Sequence, residues 1–295
     1  MKKEIFRGSA VALAAPMDRQ GDIDYKAVDV MLSMQLEGGT DAILINGTTG
    51  ESAALTDRER LELLDHALRY VDGRVPVIAG TGSNSTAHAI ALSKEAKKAG
   101  ADGLLLVTPY YNKATQKGLI AHFTAIADAA DLPILLYNVP TRTGVDIKPQ
   151  TYKELSLHPN IVGTKEAGGN ISQIAHTAAL CGDDLAIYSG NDDQTLAVLA
   201  LGGKGVISVL ANILPGEMSL LCRRFFVGDL EGSRRLQLSL LPLMQAMFWE
   251  VNPIPVKAAL AMMGVCGENY RLPMTRMEEG KKEELKRVME RMRKT

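Results

Sequence analysis

The chain has 295 residues, 46% of them hydrophobic and 23% charged, with a formal net charge of -1. This is apolar content enough for one sizeable core, and the near-neutral balance argues against broad attraction to nucleic acid or to an anionic membrane surface. No apolar run approaches the roughly 20 residues needed to cross a bilayer, and the five histidines show no HExxH-like spacing, so no metal and no cofactor is expected. Cys181, Cys222 and Cys266 lie far apart with no CxxC pair, which fits reduced thiols in the cytoplasm better than a disulfide framework.

In chain order, Met1-Lys2-Lys3 ahead of Val11–Ala15 has a faint likeness to a signal peptide. Glu4 and Arg7 interrupt it and the apolar run is short, so Ser9–Ala15 reads as a first strand. Tyr25–Glu37 carries Val28, Met31, Leu32 and Leu36 on one face, the spacing of a helix. Asp41–Ile45 is the next strand, and Thr56–Val71 opens on a capping box, Thr56 with Glu59, before running through Leu61, Leu64 and Leu68. Strands at Val75–Ala79, Gly103–Val107, Pro133–Tyr137, Ile161–Thr164, Leu185–Tyr188 and Gly205–Val209 then alternate with helices at Ser85–Ala99, Gly118–Ala130, Pro149–Leu157, Ile171–Leu180 and Asp193–Leu201. The strand segments are almost continuously apolar, as strands covered on both faces should be. Eight such alternations favour an α/β fold of the closed (β/α)8 TIM barrel type over an open doubly wound sheet, and no GxGxxG follows the first strand. After the eighth strand the pattern is helical: Pro215–Phe226, Asp229–Phe248, Pro255–Met263 and Arg276–Arg293. The expected division is a barrel catalytic domain over 1–225 and a C-terminal helical extension over 226–295, whose Lys/Arg-rich last turn is a solvated helix end.

In such a barrel the residues that follow the strands share one mouth. The apolar run Ile161–Thr164 ends on Lys165, which should sit where strand gives way to loop. An amine held there against apolar neighbours loses solvation of its charged form and becomes a Schiff-base nucleophile; the plain alternative is an exposed lysine after a strand. Gly47-Thr48-Thr49-Gly50 reads as an anion-binding turn or as an ordinary glycine turn. Tyr110 and Tyr111 follow strand four, as packing or interface residues. Tyr137 can pass protons and Arg142 can clamp a carboxylate, or they are a buried phenol and a surface cation. Strand seven delivers Gly190, Asn191 and Asp192, and strand eight carries Ile207. An amine, hydroxyls, a phenol and a guanidinium at one mouth, without a nucleotide motif, suit imine formation with a keto acid and carbon–carbon bond chemistry.

Gly47-Thr48-Thr49-Gly50-Glu51, Tyr137-Asn138-Val139-Pro140, Lys165-Glu166 and Asn252-Pro253-Ile254-Pro255-Val256-Lys257, in this order, resemble the pyruvate-dependent class I aldolases over essentially the whole chain. That family includes dihydrodipicolinate synthases and N-acetylneuraminate lyases. The resemblance implies an imine between Lys165 and pyruvate, with Thr48 and Thr49 holding the pyruvate carboxylate. It implies a proton relay of Tyr137, Thr49 and Tyr111, the last from a neighbouring subunit, and a pyruvate pocket lined by Gly190 and Ile207. Arg142, in Tyr-Asn-Val-Pro-x-Arg-Thr-Gly, resembles the arginine with which the synthase branch binds the carboxylate of L-aspartate 4-semialdehyde. The implied activity is condensation of pyruvate with that semialdehyde in lysine and diaminopimelate biosynthesis, by a cytoplasmic homotetramer built as a dimer of dimers. A sister aldolase acting on a sugar acid and a silent keto-acid-binding relative are the alternatives. Asp57, Arg60 and His88 stand where lysine-inhibited members carry a histidine pair and a glutamate, although Asn84 and Tyr110 still match. Weak or absent lysine feedback is therefore expected, and inhibition at micromolar lysine would contradict it. Asn191 and Ala15 also depart from the pattern, without a reading.

Overall fold

The computed structural model describes Lys2 and residues 4–292; Met1, Lys3 and residues 293–295, among them Arg293, lie outside the described residues. Among the described residues eight parallel strands close into a barrel in sequence order: β1 (Gly8–Ala12), β2 (Ala42–Ile45), β3 (Val77–Gly80), β4 (Gly103–Val107), β5 (Ile134–Asn138), β6 (Ile161–Glu166), β7 (Ala186–Ser189) and β8 (Gly205–Ser208). Successive side chains of a strand point to opposite faces. Ala10, Ala12, Leu44, Ile78, Leu105 and Leu135 accordingly join one buried cluster inside the barrel. Val11, Ile43, Ile45, Leu104, Leu106 and Leu136 join another, against the surrounding helices. Both faces are dry, which is why the strands read as unbroken apolar runs. Phe6, just ahead of β1, stacks on Tyr188 at 4.4 Å between ring centroids, and the Tyr188 hydroxyl donates to the Phe6 carbonyl at 2.6 Å.

Helices α1 (Tyr25–Glu37), α2 (Asp57–Val71), α3 (Thr86–Ala99), α4 (Gln116–Ala130), α5 (Pro140–Thr143), α6 (Pro149–Leu155), α7 (Ile171–Cys181), α8 (Thr195–Ala200) and α9 (Pro215–Phe226) follow, then α10 (Leu230–Ala246), α11 (Ile254–Met262) and α12 (Glu279–Met292). The capping box of α2 is formed: Thr56 accepts from the Glu59 N–H, and the Glu59 carboxylate accepts from the Thr56 N–H at 2.8 Å. The same carboxylate pairs with Arg271, which holds its pKa down to about 2. One side chain thus caps a barrel helix and ties down the C-terminal extension.

Several boundaries differ from the sequence reading, each for a local reason. β1 stops at Ala12 instead of Ala15, because the Asn212 side chain accepts from the Ala14 N–H at 2.9 Å and replaces the ladder. β6 runs two residues past Thr164, so Lys165 lies within the strand and not in the loop after it. The helix expected from Asp193 begins at Thr195, since Asp192–Gln194 form a 3-10 turn that directs Asp192 inward to the Val209 and Leu210 N–H groups. α5 is a single turn that the sequence periodicity does not reveal, and α12 begins at Glu279, three residues after Arg276.

The closing seam runs from Gly8↔Gly205 to Val11↔Ser208. A Cβ at Gly205 would stand 1.8 Å from the Gly8 carbonyl oxygen, so the two backbones meet only without side chains. Gly205→Ala should lower unfolding stability by about 3 kcal/mol through overpacking of this seam. An unchanged midpoint in chemical denaturation would show that the seam opens freely.

Candidate active site

The register of β5 on β6 places Tyr137 directly opposite Lys165 and Asn138 opposite Glu166. The first pair faces into the barrel and the second faces out. On the inner side, the Lys165 amine lies 4.7 Å from the centre of the Tyr137 ring, and the residue is only 4% exposed. The two line a cleft of about 850 Å³ together with Thr48, Thr49, Arg142 and Gly190. Burial pushes the Lys165 amine down to about 8; the Asp192 carboxylate works against this and the Arg142 guanidinium with it. Burial also raises the Tyr137 phenol, opposed by a hydrogen bond with the Thr48 hydroxyl and by Arg142. A fraction of neutral amine near neutral pH, next to a phenol that stays protonated, can attack a carbonyl and then receive protons.

The turn after β2 is a 3-10 turn over Thr48–Gly50, and it gives its two threonines different partners. Thr48 meets the phenol, whereas the Thr49 hydroxyl accepts from the Asn252 amide at 3.0 Å. The relay threonine implied by the resemblance is Thr49; here its hydroxyl is turned to Asn252, and Thr48 is the threonine that acts on the Tyr137 phenol, since consecutive residues of such a turn point in divergent directions. Arg142 sits on α5 at the rim and donates to the Asn252 carbonyl at 3.0 Å. The Thr108 hydroxyl anchors α5 by donating to that of Thr143 at 3.0 Å. Gly190 leaves room beside the amine: a Cβ there would stand 3.1 Å from Lys165 Cε and 2.8 Å from Ala167 Cβ.

Two expected residues are not in the cleft. Ile207 is fully buried in the inner apolar cluster and does not line the cleft wall. Tyr111 is 91% exposed, with φ 71, on the loop after β4. Within one chain, therefore, the structure joins Lys165, Tyr137, Thr48, Thr49, Arg142 and Gly190, and leaves Tyr111 outside. Asp57 and His88 pair with each other at 2.8 Å, and Arg60 donates to the Gly80 carbonyl at 2.8 Å.

Sequence reasoning missed the groups behind and above the cleft. On the outer face of β6, the Glu166 carboxylate accepts from the Tyr152 hydroxyl at 2.5 Å and from Asn138 at 3.2 Å, and burial pushes its pKa up to about 7. Asn138 also donates to Asp146 at 2.8 Å and accepts from the Ile147 N–H at 3.0 Å, which fixes the strand end. Above the cleft, Asn252 bridges Thr49 and Arg142. One signal was available: α11 is apolar except for Lys257, and a lone cation on an otherwise apolar helix calls for a buried partner.

A profile of the dihydrodipicolinate synthetase family matches residues 5–292. The chain belongs to that family. It is 54% identical to the 4-hydroxy-tetrahydrodipicolinate synthase of Caldicellulosiruptor saccharolyticus, over 97% of this chain and 96% of the relative. Among solved structures, the dihydrodipicolinate synthase of Thermotoga maritima superposes with a TM-score of 0.96 at 44% identity, covering 98% of this chain and 99% of that one. A neighbour described as the first monomeric dihydrodipicolinate synthase variant superposes equally well, with a TM-score of 0.96 at 44% identity over 98% and 97% of the two chains.

A lysine with a depressed pKa gains neutral amine as pH rises through that value. Borohydride trapping of pyruvate on this protein should accelerate with a midpoint near 8, not at the ordinary lysine value of 10.5. Initial trapping rates across pH measure it, and a midpoint at the ordinary value would mean that the amine is solvated.

Proposed function

We propose that this chain condenses pyruvate with L-aspartate 4-semialdehyde to 4-hydroxy-tetrahydrodipicolinate, through an imine on Lys165. The observation that carries the reading is the buried amine with a pKa of about 8, set against a phenol in a cleft with the Arg142 guanidinium at its rim. The amine attacks the ketone carbon of pyruvate, whose carboxylate lies on the Thr48–Thr49 turn. Water leaves from the carbinolamine with a proton supplied through Tyr137 and Thr48. The cationic imine acidifies the adjacent methyl group; loss of its proton gives an enamine, which attacks the aldehyde carbon of the second substrate. Arg142 holds that substrate's carboxylate by charge-assisted hydrogen bonds. The substrate's own amine then attacks the imine carbon, displaces Lys165 and closes the ring. Gly190 shapes the pyruvate pocket by close backbone approach, and Ile207, which does not reach the cleft wall, backs it through the inner apolar cluster that it shares with Tyr137.

The reading includes a homotetramer built from dimers, in which Tyr111 of one copy completes the relay of another. The near-complete exposure of this tyrosine supports that role. It also includes a cytoplasmic location; no helix among the described residues is long and apolar enough to cross a membrane.

Two experiments test these assignments. The purified protein, given pyruvate with aspartate semialdehyde, N-acetylmannosamine or glyceraldehyde, should consume pyruvate only with the semialdehyde. Arg142→Ala should cut kcat/KM for it about 100-fold while still trapping pyruvate. Turnover with a sugar aldehyde would replace the substrate assignment, and no turnover with any aldehyde would favour a binding protein. For the relay, Tyr111→Phe and Lys165→Arg proteins should each be impaired and should recover activity when their subunits are exchanged. No recovery on mixing would show that Tyr111 does not act across subunits.

A further inference from the structure

Glu51 and Lys257 form an ion pair at 2.5 Å between side chains that are 2% and 0% exposed. The partners are 206 residues apart, one at the end of the turn after β2 and the other on α11 of the C-terminal extension. A buried ion pair is a poor source of stability, because desolvating two charges costs about as much as their attraction returns and apolar replacements often do as well. Its placement suggests a different purpose.

Glu51 directly follows Thr48–Gly50 and adopts φ 50, ψ 31, the left-handed conformation that non-glycine residues avoid unless held there. Its N–H donates to the Thr48 carbonyl at 3.1 Å, so the side chain that grips Lys257 and the turn that faces the cleft are one rigid unit. The second Glu51 oxygen accepts from the Arg271 N–H at 3.3 Å. The Lys257 amine lies 4.8 Å from the centre of the Tyr270 ring, whose hydroxyl donates to the Ile254 carbonyl at 2.8 Å. Five residues before Lys257, Asn252 holds the Thr49 hydroxyl. The extension therefore grips the turn at two points, Thr49 and Glu51, and it contributes one of them through a charge that stability alone does not require.

We propose that Lys257 and Glu51 are positioning residues that set the Thr48–Thr49 turn for the carboxylate of the keto-acid substrate. This rests on the reading of the cleft as a pyruvate imine site. It gives the helical extension a part in substrate affinity, carried by an ion pair outside the cleft.

The test compares wild type, Lys257→Met, the double variant Lys257→Met with Glu51→Gln, and Glu51→Asp. Each is measured for melting temperature, for pyruvate half-saturation of borohydride trapping, and for the trapping rate at saturating pyruvate. Lys257→Met leaves a carboxylate buried without its partner and should melt well below wild type. The double variant removes both charges, keeps an acceptor for the Arg271 N–H, and should regain most of that loss. Its pyruvate half-saturation should nevertheless stay raised by about tenfold, with the saturated trapping rate within about threefold of wild type, because the turn is no longer held while Lys165 is untouched. Glu51→Asp keeps both charges but draws the carboxylate back, and should raise half-saturation in a folded protein even where the Lys257 variants do not fold. Wild-type half-saturation in the stability-restored double variant, or in Glu51→Asp, would overturn the proposal. Failure of wild type to trap pyruvate at all would instead overturn the imine reading beneath it.

Discussion

Burial of the Lys165 amine inside a closed barrel is the constraint on which the remaining features depend. A pKa moved from 10.5 to about 8 biases the amine toward its neutral form by about 3 kcal/mol, so that roughly a tenth of it is nucleophilic at pH 7. A solvated lysine would offer far less. In the proposed mechanism, desolvation alone would also strand the cation of the imine. Asp192 answers that need from a buried position, where one carboxylate oxygen is fixed by the Val209 and Leu210 N–H groups. The Asp192 and Glu166 carboxylates thus have separate duties. Asp192 acts on the charge of Lys165, and Glu166, on the opposite face of β6, ties the strand to Tyr152 and Asn138.

The barrel converts this local chemistry into geometry through strand register. Because Tyr137 and Lys165 are paired across β5 and β6, and Asn138 and Glu166 are the next pair along, the reacting groups and the groups that lock the strand ends are set by the same ladder. The rim is built differently. Thr48, Thr49 and Arg142 lie on short turns that the sheet does not hold, and each is held from elsewhere: Thr49 and Arg142 by Asn252, the turn itself by Glu51 and Lys257. On the proposed reading, affinity for the small acid depends on the C-terminal extension and nucleophilicity on the barrel.

Much of this was legible in the sequence, for physical reasons. Parallel strands covered on both faces leave unbroken apolar runs, and eight of them alternating with helical periods gave the barrel. Lys165 stood out as the one cation ending such a run. Its place within β6, and not after it, was not legible, because a barrel interior accepts a long polar side chain near the strand end as readily as the loop does. Thr48 and Thr49 could not be told apart, since their roles differ only by the direction each takes from a 3-10 turn. α5 was hidden by its brevity. Long-range polar pairs such as Glu51 with Lys257 leave no periodic trace, although a charged residue on the wholly apolar α11 hinted at one. The exposed Tyr111 is the opposite case: an aromatic beside Tyr110 on a loop carries no sign of a partner.

The central claim, that the Lys165 amine is the nucleophile, is tested most directly by peptide mass analysis after borohydride reduction in the presence of pyruvate. The account predicts one reduced pyruvate adduct per chain, on Lys165, and none in Lys165→Arg. An adduct on another lysine, or an undiminished adduct in that variant, would contradict it.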